Sequence, residues 1–362
     1  MYEIINTISI KTTGHCNFQC KYCYNTMKQK QIGCFEDFDG LYTFLSNAKL
    51  TNPFRITITG GEFTLAIPTV LKIRKIANRI EREKNIKIKL SAISNGSNVD
   101  KVLELLQNKI IDPEYFHISW DGKGTSDRIH NKEILSDKYY ENVFKTYAKH
   151  GYNIHTSFAL TESNIHNLSN SFKELISYGI TKFGYYLIGQ YNYSNEDFLA
   201  EYKNQLIDFM NYYSSLSGDY HFDNYRYFLE SKHTKYNHTC PKLGKFISVN
   251  QFGNIYPCAW YLEHNLFKLG TLKSGISKEA IAKFQQEYDK PYECDYKKCK
   301  NKQCFICPCG NYVNRGGMNK PNLTTCKFYD VEREIFSKYN ISEDTYFEET
   351  QDYDCLPAFM KD

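Results

Sequence analysis

No stretch of the 362-residue chain approaches the roughly 18 apolar residues that a membrane-spanning helix requires. The opening residues, Met1-Tyr-Glu-Ile-Ile-Asn, lack the basic and apolar regions of a secretory signal. Positive charge is not gathered in any block, and 45 Lys and Arg stand against 41 Asp and Glu. That balance argues against an extended nucleic-acid footprint. Internal repeats and low-complexity tracts are also missing. Cysteine is not scarce: there are 13. Without an export signal, that number argues against a disulfide framework and for metal, with a reducing cytoplasm as the expected compartment.

The first two hundred residues alternate short β-type runs with longer amphipathic ones. Strand signals are Ile8 and Ile10, Arg55–Thr59, Ile86–Ser94, Tyr115–Trp120, Asn153–Leu160 and Lys182–Ile188. Segments of helical period, Pro68–Glu83, Asn98–Lys109, Tyr139–His150 and Asn164–Ser177, lie between them. Strands separated by helices of this length predict parallel βα units. Functional groups in such folds gather at the carboxyl ends of the strands. Four signals fall there: a cysteine loop, Gly60-Gly61-Glu62, Asn95-Gly96 and Asp121-Gly122.

Cys16, Cys20 and Cys23 stand in the run Cys16-Asn-Phe-Gln-Cys20-Lys-Tyr-Cys23. Three thiolates at this spacing can hold three irons of a [4Fe–4S] cube and leave the fourth open to a small chelating molecule. A pure electron carrier would close the cube with a fourth cysteine. The next one, Cys34, is eleven residues further on with no motif around it. Zinc is the competing reading, but its sites favour paired two-residue spacings and four ligands. The motif resembles that of the radical S-adenosylmethionine enzymes.

The resemblance implies an α/β fold, a partial (β/α)6 barrel with a C-terminal cysteine-rich iron–sulfur domain. It implies S-adenosylmethionine on the open iron, cleaved by one electron to a 5′-deoxyadenosyl radical that abstracts hydrogen from the substrate. Gly60, Gly61 and Glu62 match the stretch that binds the cofactor's amino group, and Tyr22 the aromatic position beside the adenine. Ser119, in Ser119-Trp-Asp-Gly122, matches a ribose or carboxylate contact, and Asn95 is a weaker candidate at the third strand's end. The chain departs from the family after that: where relatives often place a His-Asp-x-x-Arg run, it reads Ser126-Asp-Arg-Ile-His130. Arg128, His130 or Lys132 is then the candidate for the cofactor's carboxylate, and a solvated loop is an equal alternative.

From Cys240 onward the chain holds nine of its thirteen cysteines. Eight of them, Cys240, Cys258, Cys294, Cys299, Cys304, Cys307, Cys309 and Cys326, would ligate two further [4Fe–4S] clusters. The Gly253-Asn-Ile-Tyr-Pro-Cys258 hairpin, the dense group and the sixteen-residue gap before Cys326 resemble the SPASM extension of peptide-modifying radical enzymes. Spacing within the dense group differs from the family pattern, so the assignment to clusters stays open. The preferred partition is Cys240, Cys258 and Cys309 against Cys299, Cys304 and Cys326, with Cys294 and Cys307 completing them; two zinc sites are the alternative. Cys34 and Cys355 are left over. The expected divisions are 1–215 for the barrel, 216–236 for a connector, 237–345 for the auxiliary-cluster domain and 346–362 for a tail.

Auxiliary clusters beside a radical site suit an oxidative outcome, because a substrate radical can pass its electron to one. The expected enzyme is a maturase that oxidatively modifies a ribosomally made peptide, forming a crosslink, thioether or similar bond. The alternatives are an anaerobic sulfatase-maturating enzyme, which makes formylglycine from Cys or Ser, and a non-catalytic Fe–S electron-transfer protein. The cysteine motif begins at residue 16, which leaves no room before it for a leader-gripping module. Expected partners are the peptide or protein substrate, a flavodoxin or ferredoxin as electron donor, and a separate leader-binding protein; nucleic acid and membrane are not expected. The 31 tyrosines suit a core first and a peptide groove second.

Overall fold

A computed structural model gives the fold and describes residues 2–23, 33–124, 127–130, 133–134, 136–188, 193–233, 244–291, 293–294, 307–321 and 324–339. In chain order the strands are β1 (Ile5–Thr13), β2 (Leu50–Gly60), β3 (Ile88–Ser94), β4 (Phe116–Ser119), β5 (Ile129–His130), β6 (Glu133–Ile134), β7 (His155–Leu160), β8 (Lys182–Leu187), β9 (His221–Phe222), β10 (Phe246–Val249), β11 (Asn254–Tyr256), β12 (Gly270–Thr271) and β13 (Gly275–Ile276). The helices are α1 (Phe38–Asn47), α2 (Ile67–Lys84), α3 (Val99–Gln107), α4 (Asp137–Lys149), α5 (Leu168–Ser177), α6 (Glu196–Tyr213), α7 (Asp223–His233), α8 (Ala259–Glu263), α9 (Lys278–Tyr288), α10 (Pro308–Arg315) and α11 (Thr324–Phe336). All six expected barrel strands are present, as β1 to β4, β7 and β8. The class is α/β, with the parallel-rich, unclosed sheet of a partial barrel.

Two compact units share the chain. Residues 1–119, 129–133 and 242–289 make the first, and 120–128, 134–241 and 290–362 the second. In the first unit the strands run β13-β12-β11-β10-β1-β2-β3-β4. From β10 to β4 they are parallel, and β10 to β13 form antiparallel hairpins. The segment expected as a cysteine-rich domain thus continues the first unit's sheet through β10 and contributes α10 and α11 to the second.

The two faces of the first unit's sheet differ. Ile8, Ile10, Ile56, Ile58, Leu90 and Ala92 are fully buried on one. Alternation puts Ser9, Lys11, Thr57, Thr59 and Ser91 on the other, and these are buried too. Their hydroxyls pair across strands, Ser9 with Thr59 at 3.0 Å and Ser91 with Thr57 at 2.9 Å, as buried polar groups must. An enclosed polar face is what the inside of a ligand-binding barrel calls for, while the amphipathic helices need the apolar one.

In the second unit β7, β8 and β9 are parallel over an aromatic core. Phe172 lies 4.9 Å from Phe209, 5.0 Å from Phe158 and 5.1 Å from Phe183 between ring centroids. Here the aromatics form a core. The stretch expected as a featureless connector contains β9 and α7. Tyr225, Phe228 and Leu229 are buried on α7, and Tyr225 and Phe228 meet Phe336 at 5.4 and 5.6 Å. Their i, i+3, i+4 period is a helical one, obscured in sequence by the Asp, Asn, Arg and Tyr residues among them. Among the described residues no helix is long and apolar enough to cross a membrane.

Candidate functional site

The first unit brings the end of β1, the end of β2 and the end of β3 together. β1 stops at Thr13, and the chain turns into a loop carrying Cys16, which is exposed, with Cys20 and Cys23 half-buried. Local hydrogen bonds shape that loop: Cys23 N–H donates to the Cys20 carbonyl at 3.1 Å, and Phe18 N–H reaches Cys16 Sγ at 3.4 Å. Its outer side is pinned by Gln19 N–H on the Ile129 carbonyl at 2.7 Å. Cys34, expected as an ordinary thiol, lies opposite Thr13 in a backbone bridge.

Gly60 and Gly61 are required by this packing. Gly61 N–H donates to Thr13 O at 2.9 Å and Glu62 N–H to His15 O at 2.8 Å. A Cβ at Gly60, where φ is +128°, would lie 2.3 Å from Thr13 O, and one at Gly61 would lie 1.9 Å from His15 O. The sequence suggested close approach to a ligand; the close approach found here is to the backbone of the cysteine loop itself.

Glu62 is completely buried. Its carboxylate accepts from Asn95 N–H at 2.8 Å, Thr64 N–H at 3.2 Å and Ser94 Oγ at 3.1 Å. Burial pushes its pKa up, and the hydrogen bonds from Asn95, Thr64 and Ser94 oppose that shift. The side chain therefore locks the ends of β2 and β3 together. Asn95 Nδ2 donates to Asn17 Oδ1 at 2.8 Å and lies 3.8 Å from Cys16 Sγ. Asn17 in turn donates to Ser97 Oγ at 2.8 Å and lies 3.3 Å from His130 Nε2. His130 also packs on Phe18 with ring centroids 5.0 Å apart. Asn95 and His130 thus both reach the cysteine loop, through Asn17, which the sequence reading passed over although it lies inside the motif. Ser94 and Thr64 were missed as well, because nothing in a strand or turn pattern marks a carboxylate's partners.

The remaining candidates are Tyr22, Ser119, Arg128 and Lys132. Tyr22 is half-buried in the turn after Cys20, and Ser119 is half-buried at the end of β4. Arg128 belongs to the second unit and is buried, 3.6 Å from Asp121. Its neighbour Asp127 accepts from Thr161 Oγ1 at 2.9 Å, and Asn164 Nδ2 holds the Asp121 carbonyl at 2.9 Å. This segment is a built polar network, unlike the solvated loop that was the alternative. Lys132 falls outside the described residues.

Of the C-terminal cysteines, Cys258 follows the β10–β11 hairpin, which turns at Gly253 with φ +75°, and immediately precedes α8. Cys307 caps α10, its Sγ accepting Gly310 N–H at 3.2 Å. Cys258 and Cys309 are buried; Cys294, Cys307 and Cys326 are half-buried. Cys240, Cys299, Cys304 and Cys355 lie outside the described residues. Among the described residues no three His, Cys, Asp or Glu side chains converge tightly enough for a single metal ion.

The model of the radical SAM superfamily matches residues 10–199. The chain belongs to the radical SAM superfamily. An uncharacterised protein of Methanocaldococcus jannaschii is 23% identical over 263 residues, 71% of this chain and 86% of its own length. The structure of anSMEcpe with bound S-adenosylmethionine superposes with a TM-score of 0.75 at 20% identity, covering 92% of this chain and 97% of that one. Streptococcus suis SuiB bound to S-adenosylmethionine superposes at 0.61 with 12% identity, covering 89% and 77%. Membership of the radical SAM superfamily makes the chain an enzyme that uses S-adenosylmethionine and a [4Fe–4S] cluster. The cysteine loop fits that cluster by its donor set: three cysteine side chains on one loop, with a backbone and an amide N–H directed at Cys16.

Proposed function

We propose that the protein is a radical SAM maturase that oxidatively modifies a peptide, with Cys16, Cys20 and Cys23 holding the catalytic cluster. The observation that carries this reading is the open three-cysteine loop locked to Gly60-Gly61-Glu62 and Asn95, in a chain whose remaining cysteines are concentrated in the C-terminal part. When bound, the cluster and cofactor supply a hydrogen-abstracting radical. The chain's own tasks are to grip the cofactor at the rim formed by Tyr22, Gly60, Gly61 and Ser119, to orient it, and to exclude water.

A peptide substrate is supported by likeness to SuiB, whose structure with precursor peptide SuiA superposes at a TM-score of 0.61. The eight C-terminal thiolates are assigned to two auxiliary [4Fe–4S] clusters, one including Cys258 and one including Cys326. Flavodoxin or ferredoxin is the proposed electron donor. A second reading, conversion of a Cys or Ser side chain to formylglycine, draws support from likeness to anSMEcpe, whose structures with the Cp18Cys and Kp18Cys peptides superpose at 0.73.

Anaerobic reconstitution should give about twelve irons per chain and about eight after alanine replaces Cys16, Cys20 and Cys23. The reduced protein should convert S-adenosylmethionine to methionine and 5′-deoxyadenosine. Peptides encoded beside the gene, and a synthetic cysteine peptide, should then be weighed after turnover. Oxidation lowers the mass by about 2 Da for a crosslink; formylglycine appears as an aldehyde reactive to hydrazides. Unchanged mass with deuterium taken from solvent, or a gained methyl group, would sink the oxidative reading.

A further inference from the structure

A buried ion pair in the first unit is used by none of the roles above. Lys11 is 3% exposed and Glu263 8%, and Lys11 Nζ donates to both carboxylate oxygens, at 2.7 and 2.8 Å. Burial raises the Glu263 pKa, and the Lys11 charge opposes that shift. Such a pair is costly to desolvate, and apolar residues of similar volume often replace one without loss of stability. Its value therefore lies in the position it enforces.

Each end is attached to cysteine-bearing backbone. Lys11 stands on the polar face of β1, two residues before Thr13, whose carbonyl takes the Gly61 N–H, and five before Cys16. Glu263 ends α8, the short helix that starts directly after Cys258. Parallel β10 lies beside β1, and α8 packs on β10 and β11. The ion pair therefore ties the strand feeding the cysteine loop to the helix that follows Cys258.

We propose that Lys11 and Glu263 are positioning residues, a strut that fixes Cys258 relative to the Cys16–Cys23 loop and balances charge between them. The inference rests on Cys258 being an auxiliary-cluster ligand. Two opposite charges, one on the strand that leads to Cys16 and one on the helix that follows Cys258, give the strut an electrostatic signature that a packing role lacks. Losing the lysine leaves a net negative charge, which disfavours the reduced cluster; losing the glutamate leaves a net positive one, which favours it.

The test uses anaerobically reconstituted full-length protein, with iron content and EPR-monitored redox titration as readouts. Lys11→Met should lower the auxiliary-cluster potential and Glu263→Gln should raise it. The charge-neutral double variant Lys11→Met, Glu263→Gln should return the potential towards wild type while altering the auxiliary EPR signal, because the strut is gone. Shifts of the same sign in both single variants would overturn the proposal. If the single variants do not fold, the double variant decides: a wild-type EPR signal and potential would overturn it. Cys258→Ser separates the two levels. Loss of about four irons upholds Cys258 as a ligand; an unchanged iron count removes that reading, and the strut with it, whatever the ion-pair variants do.

Discussion

Glu62 and Glu332 are both enclosed carboxylates, one in each unit, and they are satisfied in different ways. Glu62 accepts two backbone N–H groups and a hydroxyl, from Asn95, Thr64 and Ser94, and so fixes the backbone at a strand-end rim. Glu332, on α11, accepts the phenols of Tyr185 at 2.6 Å and Tyr202 at 3.0 Å; these two phenols also bond each other. It clamps α11, the helix that carries Cys326, to β8 and α6 inside an aromatic core. Desolvation raises both pKa values, and Glu332 is pushed up to about 7. Backbone donors cannot be removed by a side-chain change, whereas phenols are one mutation from absence. The rim is built from main chain where geometry must be exact to the ångström, and the clamp from side chains where only packing is at stake.

The largest effect should come from Gly61→Ala, whose methyl would lie 1.9 Å from the His15 carbonyl. Cofactor affinity, read by calorimetry, should fall at least about tenfold, with iron lost from the loop; an unchanged affinity would mean that the rim tolerates displacement. Next is Glu62→Ala, which leaves the Asn95 and Thr64 N–H groups and the Ser94 hydroxyl buried without their acceptor, at a cost of about 3 kcal/mol or more. Urea denaturation of the reconstituted protein at one fixed pH should show it.

Glu332→Gln sharpens the contrast through pH. The folded pKa of Glu332 is raised, so its contribution is fully present below about 4.5, the ordinary carboxyl value, and is lost as pH rises through about 7. Glutamine, which does not ionise, should remove that slope and leave the variant more stable than wild type above neutrality by about 3 kcal/mol. A variant with the wild-type slope would show that Glu332 is not the titrating group. Ser94→Ala, which deletes one of the Glu62 donors, should cost about 1 kcal/mol. The exposed Arg79–Glu83 pair, at 2.7 Å, should be the least sensitive: Arg79→Ala should leave the denaturation midpoint where it was.

Much of this was legible because it is local. Period two marked β3, period 3.6 marked α2 to α5, and the Cys16-x3-Cys20-x2-Cys23 spacing marked the loop. The helix α7 was hidden because its apolar positions are largely tyrosine and phenylalanine set among polar residues. Glu62 was found, but Ser94 was not named as its partner, since the two become neighbours only when β2 and β3 align. Arg128 looked like a loop cation until Asp121 was seen beside it.

By itself the sequence determined the chemistry available to this protein: which thiols exist, how they are spaced along the chain, and which strands and helices separate them. Those properties depend on residues close in sequence, where backbone period and ligand spacing are the physics. The tertiary structure alone decided that Gly61 must be glycine because the His15 carbonyl lies against it. It alone brought Asn17, Asn95 and His130 to one loop, and paired Lys11 with a carboxylate 252 residues away. Such contacts arise from the register of parallel strands, which is set by burial across the whole sheet and leaves no mark on any short stretch of chain.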